Sequence, residues 1–196
     1  GDVNSGYNDY SPVFTADGKR IYFTSRRANT TGGMMNPDDQ EYFEDVYTGI
    51  WNEKMLRFDS VTNNVERING PGFESMSWLS KDGLKAIVTI NNTATASKKT
   101  TGSSDIAEVE FTKKGKWNIP KVISNKSINT SFFEGSATLT ADGNTMYFTR
   151  NNYNNGKVVM DKDKVIKLKL FKASLENGKW GKITELPFNN NEYNFA

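Results

Sequence analysis

The stretch TADGKRIYFTSR (residues 15–26) returns twice along the chain, as SKDGLKAIVTIN (80–91) and TADGNTMYFTRN (140–151). Glycine accepts the positive φ of a tight turn, so an Asp-Gly pair between two apolar runs predicts a β-hairpin. The runs before the three pairs, DYSPVFT, ESMSWLS and EGSATLT, alternate with the period of two that suits a strand with one buried face. Each copy therefore predicts two antiparallel strands.

A third apolar run follows each hairpin after a polar insertion, and these runs start at Asp45, Asp105 and Val165. Turn-like stretches end them, SVTNN (60–64), KKGKW (113–117) and ENGKW (176–180), and short fourth strands are predicted beyond, such as VERI at 65–68. The Asp-Gly pairs are 65 and 60 residues apart. Since a propeller blade takes about 40 to 50 residues, the insertions account for the excess, and each unit is predicted to be one four-stranded blade.

The predicted fold class is all-β. We expect a β-propeller of three four-stranded antiparallel blades, about residues 8–70, 71–126 and 127–188, with 189–196 starting a further blade. Three blades cannot close a ring, so the first and last sheets would expose apolar faces if they stood alone. We therefore expect part of a larger propeller, of roughly six or more blades, whose remaining blades come from the rest of the chain or from a second copy.

The composition excludes several classes of function. The 196 residues contain no cysteine and no histidine, which removes disulfides, thiolate chemistry and imidazole catalysis. The net charge is only +2, so no binding to nucleic acid is expected. No apolar stretch approaches the roughly 20 residues of a membrane-spanning helix, so no transmembrane segment is expected. No spacing of Ser, Lys and carboxylates nominates a catalytic set, and we expect neither enzymatic activity nor a cofactor.

The repeat resembles the TolB-like (WD-like) β-propeller family, whose units carry an acidic residue, a small residue, an alternating strand, Asp-Gly and an aromatic strand such as YFTSR. The likeness covers nearly the whole chain. NDYSPVFTADGKRIYFTSRR (8–27) and FFEGSATLTADGNTMYFTRNNY (132–153) are similar to copies in Bacteroidota cell-envelope proteins. There, such propellers often precede a peptidoglycan-binding OmpA-like domain, and several serve type IX secretion or gliding.

The resemblance implies a non-catalytic protein–protein interaction scaffold of the bacterial cell envelope. It implies a periplasmic, outer-membrane-associated location and envelope proteins as partners. The family opens its third strand with an acidic residue, which Asp45 and Asp105 match. The third unit departs from this pattern with the basic run VIKLKLFKA (165–173), so a function that needs the acidic residue in every blade is not expected.

An acidic residue stands nine positions before each turn glycine, namely Asp9, Glu74 and Glu134. Innermost strands line a propeller's channel, so these carboxylates could converge on a metal cation or on a basic group of a partner. The alternative is a repeated structural latch, in which each carboxylate accepts hydrogen bonds from backbone or hydroxyl groups nearby. Both interpretations stay open from the sequence.

The first insertion, ANTTGGMMNPDDQEYFED (28–45), mixes acidic and aromatic side chains on a long loop. Loops on rigid scaffolds often carry binding residues, and this composition suits a basic protein partner. The stretch lacks the spacing of a calcium-binding loop, and a purely solvated loop is the alternative. The candidate partner-binding residues are Asp38, Asp39, Glu41, Tyr42, Phe43 and Glu44.

Two other functions are compatible with a propeller. The chain could be the accessory or gating propeller of a hydrolase of the prolyl-oligopeptidase type, with its chemistry in another domain. It could also be a carbohydrate-binding propeller, which predicts facing carboxylates and an exposed aromatic platform. Trp117 and Trp180 occupy equivalent positions after turns, which indicates packing within blades in place of sugar stacking.

Overall fold

The computed structural model describes residues 2–65, 67–91, 103–154 and 157–195. Its first sheet contains, in spatial order, β1 (Asp9–Phe14), β2 (Arg20–Ser25), β3 (Asp45–Asn52) and β4 (Arg57–Thr62). The second contains β5 (Glu74–Leu79), β6 (Lys85–Ile90), β7 (Asp105–Glu110) and β8 (Lys121–Val122). The third contains β9 (Glu134–Leu139), β10 (Thr145–Asn151), β13 (Leu168–Glu176) and β14 (Lys179–Glu185), with the small hairpin β11 (Tyr153–Asn154) and β12 (Lys157–Val158) inserted after β10. The strand pairings within the three four-stranded sheets are antiparallel, which confirms the predicted fold class.

The three Asp-Gly turns have one geometry. Gly18, Gly83 and Gly143 have φ of 68°, 71° and 71°, the left-handed region that only glycine adopts without strain. The aspartate before each glycine accepts a backbone N–H two residues on and the hydroxyl of a Ser or Thr two residues back, at 2.5 to 3.0 Å. The hairpins predicted from the sequence are therefore confirmed, and local hydrogen bonds account for them.

The sheets stack face to face, each against the innermost strand of the next. β1, β2 and β3 contact β5, and β5, β6 and β7 contact β9. Along β6 the side chains alternate between the two junctions: Val88 packs in the apolar core shared with the first sheet, and Ile87 packs in the core shared with the third. Trp117 and Trp180 belong to these two cores and are 3% and 8% exposed, as expected for packing residues. The arrangement is that of consecutive propeller blades.

The turn predicted at residues 60–64 is wrong. β3 and β4 are joined at residues 53–56, because the Asn52 side chain accepts the N–H groups of Lys54 and Met55 at 3.0 and 3.1 Å and closes the chain earlier. The aromatic pair Trp51 and Phe58 then meets across the two strands, with ring centroids 5.2 Å apart. The fourth strand accordingly ends at Thr62, so Val65, Arg67 and Ile68 of the predicted strand lie beyond it, and Glu66 is outside the described residues.

A repeated asparagine holds the edge of each third strand. Asn69 and Asn129 each accept the N–H and donate to the C=O of one strand residue, Val46 and Ile106, at 2.8 to 2.9 Å. Asn189 makes the same two bonds with Leu170, at 3.1 and 2.7 Å. The carboxamide replaces the peptide group of a neighbouring strand, so the third strands stay hydrogen-bonded where the fourth strands have ended. We call these three residues the asparagine latches.

The outer faces of the first and third sheets differ. Tyr22, Ile87 and Tyr147 occupy the same position after the Asp-Gly pairs, yet they are 6%, 2% and 36% exposed, because only the first two are covered by a following sheet. On the first sheet, the Arg27 guanidinium lies 5.2 and 5.3 Å from the ring centroids of Phe23 and Tyr47, which are 1% exposed. An uncovered face is therefore found on the third sheet. On the outer face of the first sheet Phe23 and Tyr47 are covered but Phe14 is 50% exposed, so the expected exposure holds there only in part.

Across the part of the chain that the structure describes, no helix has the length and apolar character needed to cross a bilayer.

Candidate functional site

Aromatic side chains collect at one end of the sheets. In each sheet the innermost strand begins where the second strand ends and the third begins, as in the pairs Asp9–Ser25 and Ser25–Asp45. The segments before the innermost strands and the loops before the third strands therefore meet at this end. Three aromatic pairs form there, with centroids 4.7 to 6.1 Å apart: Tyr7 with Tyr42, Phe73 with Phe43, and Phe132 with Tyr153. We call these six residues, together with the 50% exposed Phe133, the aromatic rim.

A cleft opens inside the rim, at the beginnings of the innermost strands. One part, about 290 Å³, is lined by Tyr10, Phe73 and Phe133 with the carboxylates of Glu44 and Glu74. The adjoining part, about 480 Å³, extends along the innermost strands past Glu134. The two parts share five lining residues, which are Tyr10, Ser75, Thr89, Ser104 and Phe133. Exposed aromatic groups therefore surround a floor of hydroxyls and carboxylates.

The recurring carboxylates of the innermost strands hold the segments that precede them. Asp9, Glu74 and Glu134 each accept the backbone N–H four residues earlier, at 2.6, 3.0 and 3.0 Å. Asp9 also forms an ion pair with Arg27 at 3.2 Å, and Glu134 accepts the Thr130 hydroxyl at 2.5 Å. Hydrogen bonds from nearby backbone and hydroxyl groups are what the structural-latch interpretation of these carboxylates predicts. No group of three or more metal-ligating side chains is present among the described residues.

Two of these carboxylates are costly to ionise. Burial raises the pKa of Glu74 to about 8, and the nearby negative charges of Asp45 and Glu44 act in the same direction. Burial likewise raises the pKa of Glu134 to about 7, with Asp105 adding to the shift and the Thr130 hydrogen bonds opposing it. The acidic residue that begins the third strand of one sheet thus lies close to the recurring carboxylate of the next. Both junctions carry an acid–acid pair.

The third sheet lacks this pair. Lys169 lies opposite Arg150 in the strand register of the third sheet. Asp45 and Asp105 occupy the equivalent position in the first and second sheets, opposite Ser25 and Ile90. Lys169 is 1% exposed, and burial lowers its pKa. Asn194 stands five residues after its asparagine latch, the spacing at which the other two units have Glu74 and Glu134. The departure noticed in the basic run of the third unit is therefore a change at a buried position.

The first insertion is organised around Arg26. Its guanidinium donates to both carboxylate oxygens of Asp39 at 2.8 and 3.0 Å and to the carbonyl of Tyr42 at 2.6 Å, and it lies 3.1 Å from Glu41. Glu44 is 3.9 Å from the same side chain and accepts the hydroxyl of Tyr10 at 2.9 Å. Of the six partner-binding candidates, Asp39, Glu41 and Glu44 are thus engaged within the chain.

The other three candidates occupy different surroundings. Tyr42 and Phe43 are partly buried members of the aromatic rim, in contact with Tyr7 and Phe73. Asp38 is exposed, and its N–H donates to the Asn36 side chain. Arg26, Tyr10 and Phe133 are site residues that were not predicted from the sequence, because each contacts the site through residues distant in the chain. The asparagine latches were also missed, although Asn69 and Asn129 each stand five residues before a recurring glutamate.

Replacing Glu74 by Gln is expected to change how stability depends on pH. The pKa of Glu74 is about 8 in the folded state and near 4.5 in the unfolded state. Between these two values the carboxyl holds a proton only in the folded state, so the free energy of unfolding falls as the pH rises through this range. Gln removes this loss and can still accept the Gly70 N–H. We expect the variant to be more stable by about 2 kcal/mol at pH 9 and nearly equal at pH 4.

Urea titrations at a series of pH values measure this difference. The matched control is Glu110→Gln, a change of the same chemistry on an exposed side chain of β7. A stability difference for Glu74→Gln that stays constant with pH would contradict the assigned burial of an ionisable carboxyl.

No protein-family model matches the chain, and no curated protein sequence matches it. The solved structures that are similar to it include two from bacteria. They are the periplasmic gluconolactonase PpgL of Pseudomonas aeruginosa, at 10% identity and a TM-score of 0.43, and the hydrazine synthase of Kuenenia stuttgartiensis, at 13% identity and 0.44. The likeness covers 93% and 95% of this chain but 58% and 56% of those chains, so this chain spans little more than half the length of either. At such values neither likeness assigns a function. The identification supported by the chain's own sheets is that of a β-propeller segment.

Proposed function

We propose that this chain is a non-catalytic, protein-binding segment of a β-propeller, and that it binds its partner at the aromatic rim. The observation that carries the proposal is the cleft inside the rim, where the 50% exposed Phe133 and the 41% exposed Tyr10 stand above buried carboxylates. Protein interfaces concentrate their binding energy in a few residues, often aromatic, that fill desolvated pockets near the centre of the interface.

The scaffold around the rim supports this role. Binding surfaces on propellers gain precision when their side chains are fixed by rigid elements. Here the Arg26 ion pairs fix the first insertion, and the aromatic pairs connect each loop to the segment before an innermost strand. The rim therefore presents its aromatic groups with little conformational entropy left to lose on binding.

We place the partner in the bacterial cell envelope, as a component of a secretion or gliding machinery. The support is the resemblance of residues 8–27 and 132–153 to TolB-like repeats of Bacteroidota envelope proteins. We further propose that the uncovered face of the third sheet, marked by Tyr147, receives another blade. Asn189 already latches the third strand of this sheet, as the corresponding residues do before each following blade.

Site-specific photocrosslinking tests the proposal. A benzophenone amino acid in place of Phe133 is expected to crosslink one envelope protein in an extract of the source bacterium. The same group in place of Ile119, which is 71% exposed and lies between β7 and β8 away from the rim, is the matched control. Purified partner is then titrated against the wild-type chain and Phe133→Ala, for which we expect at least about a tenfold loss of affinity.

Two results would contradict the proposal. One is equal crosslinking from positions 133 and 119. The other is an unchanged affinity of the purified partner for Phe133→Ala, which would place the interface away from the rim. Titration with a neutral disaccharide distinguishes the carbohydrate-binding alternative, since saturable sugar binding in the cleft would replace protein binding as the function of the site.

A further inference from the structure

The part of the cleft between the first and second sheets combines three features. Its walls are the aromatic rings of Tyr10, Phe73 and Phe133, and its floor carries Glu44 and Glu74. Oε2 of Glu44 is buried and has no hydrogen-bond partner in the described part of the chain, while Oε1 accepts the Tyr10 hydroxyl at 2.9 Å. A buried carboxylate oxygen without a donor costs free energy, and a donor in the cleft would recover it once the Glu44 side chain turns this oxygen toward the opening.

The charges around this floor are not balanced. Arg26 is the cation nearest to Glu44, at 3.9 Å, and it is already bound to both oxygens of Asp39 and lies 3.1 Å from Glu41. Glu74 adds a further carboxyl group to the floor, and the buried Asp45 lies near enough for its negative charge to raise the pKa of Glu74. The site therefore has an excess of acidic groups, and an entering cation would be attracted by it.

From these contacts we infer that the cleft binds an arginine side chain of the protein partner, with the guanidinium at Glu44 and Glu74 and its stem between Tyr10 and Phe133. The inference rests on the proposed function and names the group that the rim recognises. A guanidinium is planar, carries several N–H donors and packs well against aromatic faces, which suits both the walls and the unpaired oxygen. The volume of about 290 Å³ accommodates one such side chain.

Binding should become tighter as pH rises. Burial raises the pKa of both Glu44 and Glu74, and the cation binds their ionised forms, so it must displace the protons that these groups hold. The charged and titratable groups that face them are Asp45, Arg26, Asp39 and Glu41 from the first sheet and its insertion, Tyr10 from β1, and Glu134 in the adjoining part of the cleft. We expect the affinity to increase between pH 6 and pH 9, the range that spans the pKa of about 8 for Glu74.

The experiment uses a charged probe and its neutral analogue. Acetyl-arginine amide and acetyl-citrulline amide have nearly the same shape, but only the first is cationic. Each is titrated into the ¹⁵N-labelled chain while NMR follows the amide signals of Ser75, Thr89 and Ser104, which line the cleft. We expect saturable, millimolar binding of the arginine probe, at least about fivefold weaker binding of the citrulline probe, and a similar loss for Glu44→Gln.

Phe133→Leu is a second variant that keeps the test decisive if Glu44→Gln disturbs the Arg26 cluster. Phe133 is half exposed, so its replacement should leave the fold intact and weaken the arginine probe alone. Equal binding of the two probes, or signals that respond to neither, would overturn the inference. In both cases the photocrosslinking result at Phe133 stands separately, so recognition of arginine can fail while protein binding at the rim holds.

Discussion

Phe148→Ala is expected to destabilise the chain by about 3 to 5 kcal/mol, whereas Tyr147→Ala, one residue earlier on the same strand, should cost less than about 1 kcal/mol. Phe148 is fully buried in the core between the second and third sheets, and its ring lies 5.7 Å from that of Phe171. Its truncation removes apolar contacts and leaves a cavity. Tyr147 points to the opposite face of β10 and is 36% exposed, so its truncation leaves no cavity.

Chemical denaturation of the two variants at one pH measures this difference, with similar m-values as the sign that both unfold the same structure. Tyr147 serves as the matched control because it shares the strand, the size and the aromatic character of Phe148. If Tyr147→Ala were as destabilising as Phe148→Ala, the outer face of the third sheet would have to be covered within this chain. The assignment of an uncovered blade face would then be wrong.

Asn129→Ala is expected to cost about 3 kcal/mol. The side chain accepts the Ile106 N–H at 2.8 Å and donates to the carbonyls of Ile106 and Ile123, both at 2.9 Å. Alanine would leave the Ile106 N–H and the Ile123 carbonyl without these partners in a packed region. Since Ile106 is 0% exposed, water cannot easily replace the lost bonds.

Two further variants test whether the hydrogen bonds of the Asn129 side chain account for this loss of stability. Asn129→Asp keeps the size of the side chain but loses its donor, so the two carbonyls would face a carboxylate oxygen, and we expect no recovery of stability. Asn118→Ala, on a partly buried residue between β7 and β8, is the control for loss of an amide side chain outside the latch. A cost below about 1 kcal/mol for Asn129→Ala would show that the latch is dispensable, against the free energy expected for unsatisfied backbone groups.

Much of the fold could be predicted because its signals are local. The Asp-Gly turns are formed by Asp17, Asp82 and Asp142 through bonds to residues two positions away, so a short stretch of sequence is sufficient to recognise them. The turn between β3 and β4 was misplaced because the sequence contains two local turn signals there. Asn52 determines that turn through its side chain, and the sequence offers a competing Asn pair at residues 63–64.

The candidate site was predictable only in part. The recurring acidic position at Asp9, Glu74 and Glu134 is visible as a spacing, but the raised pKa values of Glu74 and Glu134 depend on burial, which the spacing does not show. The acidic character of the first insertion was also visible. Its pairing with Arg26 was not, because the same composition is compatible with a loop exposed to solvent.

The repeat, the antiparallel hairpins and the absence of cysteine and histidine chemistry follow from the amino-acid sequence alone, since they depend on residue identity and on contacts between near neighbours. The folded arrangement was needed to show which carboxylates of the described residues have no cationic partner and which aromatic residues are exposed. Both properties depend on the stacking of one sheet on the next, which brings Glu44 of the first insertion beside Glu74 of the second sheet. Burial and charge pairing are set by neighbours distant in sequence, and the alternation of residues along one strand cannot specify them.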